Sequence, residues 1–151
     1  MLLRGLMLKG SGPAVVATAG GAHGGSLTLE DCYVSGSRCG LVLRERAVGT
    51  LRRSVLCKCG EDGIQASGGG AALIESCSIF DNARHGVVVS GRGSSVRISR
   101  SMLSNNGGAG VAVDQEGGGR VEDNDLRNNA LGPCVVGEAS KTRVAVGSNL
   151  T

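Results

Sequence analysis

Ile74-Glu75-Ser76-Cys77-Ser78-Ile79, Ile98-Ser99-Arg100-Ser101-Met102-Leu103 and Val121-Glu122-Asp123-Asn124-Asp125-Leu126 write one pattern three times, within the stretch from Gly63 to Leu126. An asparagine follows each opening aliphatic at the same offset: Asn82, Asn106 and Asn129. Shortly after each asparagine comes a strand-like segment: Gly86-Val87-Val88-Val89, Gly110-Val111-Ala112-Val113 and Pro133-Cys134-Val135-Val136. The period is 23 or 24 residues. A fixed period in this range is the signature of a solenoid, in which each repeat buries its apolar face against its neighbours.

Working outward, the same Gly-plus-aliphatic opening stands at Gly63-Ile64-Gln65-Ala66, Gly40-Leu41-Val42-Leu43 and Gly5-Leu6-Met7-Leu8. The interval from Gly5 to Gly40 is longer than the others by about a dozen residues, which predicts a Gly/Ala-rich loop insertion over residues 11–25. The other aliphatic column holds Leu27 with Leu29, Leu51, Ile74, Val96 with Ile98, Val121, and Val144 with Val146; its alternation puts one face inward. Cys32, Ser54, Cys77, Ser101, Asn124 and Asn149 follow as small or polar corner residues, then Val34, Leu56, Ile79, Leu103 and Leu126 as a further inward column.

These features predict an all-β right-handed parallel β-helix, a solenoid of five to six coils of 23–24 residues with three short strands per turn, forming a single domain over 1–151. Stacked rungs lie about 4.8 Å apart, so Asn82, Asn106 and Asn129 are expected to bond one another as an inward ladder at one corner. Composition agrees. Gly is 27 of 151 and Pro only 2, with Tyr33 and Phe80 the only aromatics, which suits thin layers of Val, Ile, Leu and Ala joined by turn glycines.

The repeat resembles the right-handed parallel β-helix of pectate lyases and polygalacturonases, which also forms non-catalytic modules in F-box and adaptor proteins. The resemblance runs from Gly5 to Asn149 and implies the fold, while function depends on the site carried. In the carbohydrate-active members it implies a cleft along the outer face of one sheet. Here that outward column reads Met7, Val42, Gln65, Val88, Ala112 and Val135, and the next reads Lys9, Arg44, Ser67, Ser90, Asp114 and Gly137. Glycoside hydrolysis needs two facing carboxylates, and a lyase needs a base with oxygen-held calcium. These columns offer one acid, Asp114, distant from Arg44. His23-Gly24 and His85-Gly86 are fragments of the Gly-His-Gly motif of polygalacturonases, whose paired aspartates and Arg-x-Lys have no counterpart. No catalytic residue is therefore assigned, and the expectation leans away from an enzyme.

No cofactor or metal is expected either. The six cysteines include no C-x-x-C pair, and Asp114-Gln115-Glu116 and Asp123-Asn124-Asp125 read as solvated bends. The cysteines read as free, buried thiols in a reducing compartment, which gives an intracellular expectation, cytoplasmic or organellar. The apolar run at Met1–Gly10 is broken by Arg4 and Lys9, unlike a signal peptide, and no stretch has the length of a membrane span, so neither export nor a membrane is expected. Sixteen basic against 13 acidic residues leave +3, with charges interspersed and no stacking aromatics, which argues against nucleic acid. Glu30, Arg52 and Glu75 share an outward column and are expected to pair, as are Asp31 with Arg53 and Arg100 with Asp123.

The apolar outer stripe remains: Met7, Val42, Val88, Ala112 and Val135. Contiguous exposed apolar surface marks an interface. The expected function is a non-enzymatic protein-interaction or scaffold module with protein partners, within a larger assembly or a longer chain whose further parts cover the end rungs. The alternative is a carbohydrate-binding or carbohydrate-modifying domain.

Overall fold

A computed structural model of the chain describes residues 1–18 and 25–151. Its strands wind into three parallel sheets, with every successive turn laid on the one before. The first sheet has seven strands: Leu2–Arg4, Ser26–Glu30, Val48–Arg52, Ala71–Glu75, Ser95–Ser99, Gly118–Glu122 and Val144–Gly147. The second has five, from Met7–Leu8 through Tyr33–Ser35, Val55–Cys57 and Ser78–Phe80 to Met102–Ser104, and is extended by single bridges at Asp125 and Leu150. The third has six: Val15–Thr18, Leu41–Arg44, Ile64–Ser67, Val87–Ser90, Val111–Asp114 and Cys134–Val136. The result is an all-β parallel solenoid of about six turns with almost no helix.

Each sheet sends alternate side chains inward, so the core consists of columns. Leu29, Leu51, Ile74, Ile98 and Val121 form one; Val34, Leu56, Ile79, Leu103 and Leu126 another; Leu41, Ile64, Val87 and Val111 a third, and all are fully or almost fully buried. Large and small residues interlock across the core. A Cβ at Gly49 would lie 2.9 Å from Leu43 Cδ1, and one at Gly119 would lie 2.8 Å from Val96 Cγ1.

The corners have a fixed construction. Between the first and second sheets one residue per turn takes the left-handed conformation: Gly5, Asp31, Arg53, Ser76, Arg100, Asp123 and Ser148, with φ from 46° at Arg53 to 63° at Gly5. After the second sheet Gly36, Lys58, Asp81, Asn105 and Asn128 do the same. From Cys32 and Ser37 onward, an inward small or polar residue follows each of these.

Two sequence expectations change here. Gly5-Leu6-Met7-Leu8 imitates the glycine-led opening of the third sheet, but Gly5 is a left-handed corner residue equivalent to Asp31, since Arg4 lies opposite Glu30. Met7 consequently pairs with Tyr33 in the second sheet. The true first strand of the third sheet is Val15–Thr18, with Val15 opposite Leu41. The expected loop insertion over 11–25 thus contains a strand of the solenoid; its residues 19–24 lie outside the described residues.

Candidate functional site

The outward column of the third sheet runs Val16, Val42, Gln65, Val88, Ala112, Val135. Val16 replaces Met7 at its head and is 53% exposed, whereas Val42 is buried at 2% and so contributes nothing to an exposed stripe. The open part of the face is its far half, where Val88 and Ala112 are half-buried and Val135 is 43% exposed. There a groove of about 320 Å³ has Val88, Ala112 and Val135 for a floor, Arg84 and His85 along one wall, and Ser90, Asp114 and Gln115 along the other.

Both walls are held in place. His85 Nδ1 accepts a hydrogen bond from the Ala109 N–H at 2.9 Å, which assigns the ring proton to Nε2. The His85 N–H in turn donates to Asp62 Oδ1 at 3.0 Å. Asp62 is buried, and its second oxygen Oδ2 has Arg84 Nη1 at 3.9 Å and no hydrogen bond among the described residues. Gly108 makes room for the imidazole, because a Cβ there would lie 2.6 Å from Nδ1. On the opposite wall Asp114 Oδ1 accepts the Gln115 N–H at 2.7 Å. Asp114 lies over Gly137, where a Cβ would come within 2.2 Å of Oδ1. His85 and Asp114 are therefore fixed by backbone bonds and by glycines, a placement that sequence alone signals only through His85 and Gly108 falling on adjacent rungs.

Asn82, Asn106 and Asn129 stack at the corner leading into this sheet. Asn82 Nδ2 donates to Asn106 Oδ1 at 3.0 Å, and Asn106 Nδ2 donates to Asn129 Oδ1 at 2.9 Å. The same oxygens accept backbone N–H groups: Cys59 N–H to Asn82, Asn82 N–H to Asn106 and Asn106 N–H to Asn129. A second ladder occupies the other corner. Cys32 N–H donates to Ser54 Oγ, Cys77 N–H to Ser101 Oγ, Ser101 N–H to Asn124 Oδ1 and Asn124 N–H to Asn149 Oδ1. In the sequence these residues share only small size or polarity at a corner; in the fold Ser54, Ser101, Asn124 and Asn149 each supply a side-chain acceptor one rung ahead.

Other polar groups are largely committed to each other. The Arg53 guanidinium bonds Asp31 at 2.8 Å and holds its carboxyl below the usual range. Arg127 does the same for Asp125, and Arg120 for Glu122. Arg52 reaches Glu75 at 3.3 Å, and Arg100 also pairs with Glu75 rather than with Asp123, because the left-handed corner turns it back over the preceding rung. A wider groove of about 630 Å³ follows this first corner past Ser76, Arg100, Met102 and Asp123. All six cysteines are free. Burial pushes the thiols of Cys59, Cys77 and Cys134 up to about 11, which keeps them protonated and poorly nucleophilic at neutral pH. Among the described residues no group of three or more His, Cys, Asp or Glu side chains is placed to hold a metal ion, and no helix is long and apolar enough to cross a membrane.

Three parallel sheets, internal ladders and a groove on one sheet face define a β-solenoid that displays a surface. The chain belongs to the right-handed β-helix family: the family model described as right handed beta helix region matches residues 9–149. Searches of curated proteins and of solved structures find no match to the chain.

Proposed function

We propose that the chain is a non-enzymatic binding module that engages another protein through the outer face of the third sheet, in the intracellular setting that six free thiols favour. The observation that carries this is the valine-floored groove at Val88, Ala112 and Val135, an apolar surface carried on paired parallel strands. Soluble chains keep such surface scarce, and flat solenoid faces serve as binding platforms.

Val88→Asp and Val135→Asp test the reading, since both side chains point outward and leave the core columns intact. The immobilised wild-type chain should retain a specific protein from its native source, and both variants should lose it while keeping the wild-type melting curve. Retention that is indifferent to both substitutions would overturn the role of this face. Binding of uronan polysaccharides with release of unsaturated products would instead establish the carbohydrate alternative.

A further inference from the structure

The groove on the third sheet differs from the first corner in how its charges are used. Around the first corner the acids and bases pair across rungs: Arg4 with Glu30 and Asp31, Arg53 with the same two, and Arg52 and Arg100 with Glu75. Arg38 pairs with Glu61, and Arg92 and Arg143 with Glu116. Asp114 makes no ion pair among the described residues, and its carboxylate accepts only one hydrogen bond there, from the adjacent Gln115 N–H. Across the apolar floor, the Arg84 guanidinium has among the described residues only the long 3.9 Å approach to Asp62, and the His85 Nε2–H is left to donate because Nδ1 is occupied by Ala109. The groove thus has a donor-rich cationic wall and an anionic wall separated by valines and an alanine.

That separation has a direction. Arg84 and His85 precede the strand Val87–Ser90, while Asp114 ends the strand Val111–Asp114. A ligand meeting both walls must cross the sheet along the strand direction, over a distance of several extended residues. We infer that the groove takes an extended segment of a partner protein, with an acidic side chain toward Arg84 and His85, an aliphatic stretch crossing the floor that Val88, Ala112 and Val135 form side by side, and a basic side chain toward Asp114. The inference rests on the protein-binding reading of this face and adds the partner's chemistry and orientation. The volume of about 320 Å³ accommodates the few residues that such a segment would seat.

Four blocked synthetic peptides serve as probes: Ac-Glu-Val-Val-Val-Lys-amide, its reverse Ac-Lys-Val-Val-Val-Glu-amide, a neutral Ac-Gln-Val-Val-Val-Gln-amide, and Ac-Glu-Ser-Ser-Ser-Lys-amide. Each is titrated into the isotope-labelled full chain and followed by amide chemical shifts. The valine peptide with both charges should shift the amides of Val88, Ala112, Val113, Val135 and Gly137, and bind about fivefold or more tightly than the neutral one. The serine peptide should not bind. Asp114→Asn and Arg84→Gln should each remove most of the charge preference while leaving the neutral peptide's affinity unchanged. The reversed peptide reports whether the segment has a fixed polarity: parity with the forward peptide that persists in both variants would overturn the proposed orientation. Shifts elsewhere, no shifts, or a preference unmoved by Asp114→Asn would overturn the inference. If the peptides fail while Val88→Asp still abolishes retention of a native protein, the face binds protein by another chemistry; if both fail, the face itself is wrongly assigned.

Discussion

At the scale of single residues, the fold is held by polar side chains that face into an apolar core. Each such group is costly unless satisfied, and for the asparagines, Ser54 and Ser101 the rung spacing satisfies it: an amide or hydroxyl on one turn meets the backbone N–H of the turn before. Asn106 uses both ends of its amide. Its Oδ1 accepts from both the backbone and the side chain of Asn82, and its Nδ2 donates to Ile79 O and to Asn129 Oδ1. Asn106→Ala would leave these partners buried and unpaired, and should lower the unfolding free energy by about 1–3 kcal/mol. Chemical denaturation reads this directly; a loss of only a few tenths would mean that water or neighbouring groups replace the amide. The column Asn82, Asn106 and Asn129 was legible because one residue type recurs at one offset. The second ladder was not, because it mixes Cys32, Ser54, Cys77, Ser101 and Asn124. Cysteine, serine and asparagine share no composition signal, only the ability to fit a tight inward corner.

Corners and strand openings set the geometry of the elements. The third-sheet strands are preceded by Gly40, Gly63, Gly86 and Gly110 for a steric reason: a Cβ at Gly63 or Gly86 would lie 2.6 Å from the carbonyl oxygen of the equivalent glycine on the next turn. Gly86→Ala should therefore cost about 1–3 kcal/mol through overpacking, against a near-neutral Gly147→Ala, where a Cβ meets nothing within 4 Å. Comparing the two melting curves checks the claim, and equal shifts would refute it. This requirement made the glycine-led opening the strongest marker in the sequence, and it also misled. At Gly5 the glycine supplies a left-handed corner (φ 63°), a different demand that sequence writes with the same letter. The first turn of the third sheet begins instead at Ala14-Val15, where alanine stands in the glycine's place and the marker vanishes. Most left-handed corners are equally hard to read, since Arg53, Lys58 and Ser76 adopt them as well as asparagine and aspartate do. The ladder on the following residue and the pairing of neighbouring strands offset the strain of that conformation, an effect invisible to local propensity.

For the whole molecule, every contact that matters joins one turn to the next, so stability should behave as a sum of turns and nearest-neighbour interfaces. That period was the part of the sequence read most fully, while the site depended on what neighbouring turns place side by side, such as His85 against Gly108 and Asp114 against Gly137. The same nearest-neighbour logic predicts that a complete turn can be removed. Deleting residues 64–86 joins Gly63 to Val87, which occupies the register position of Ile64. The Cys59 N–H then meets Asn106 in place of Asn82, Leu51 faces Ile98 in place of Ile74, and Leu56 faces Leu103 in place of Ile79. The shortened chain should fold cooperatively with an unchanged β circular-dichroism spectrum, and its denaturant dependence should fall by roughly one sixth, in proportion to the surface lost from a solenoid whose third sheet has six strands. Deleting only residues 64–74 brings Glu75 directly after Gly63, so that a first-sheet corner falls where a third-sheet strand must start, and inward and outward positions no longer match. That chain should fail to fold. If the full-turn deletion also unfolds, stability depends on contacts beyond adjacent turns and the solenoid sum is wrong; if the half-turn deletion folds equally well, the columns do not fix register.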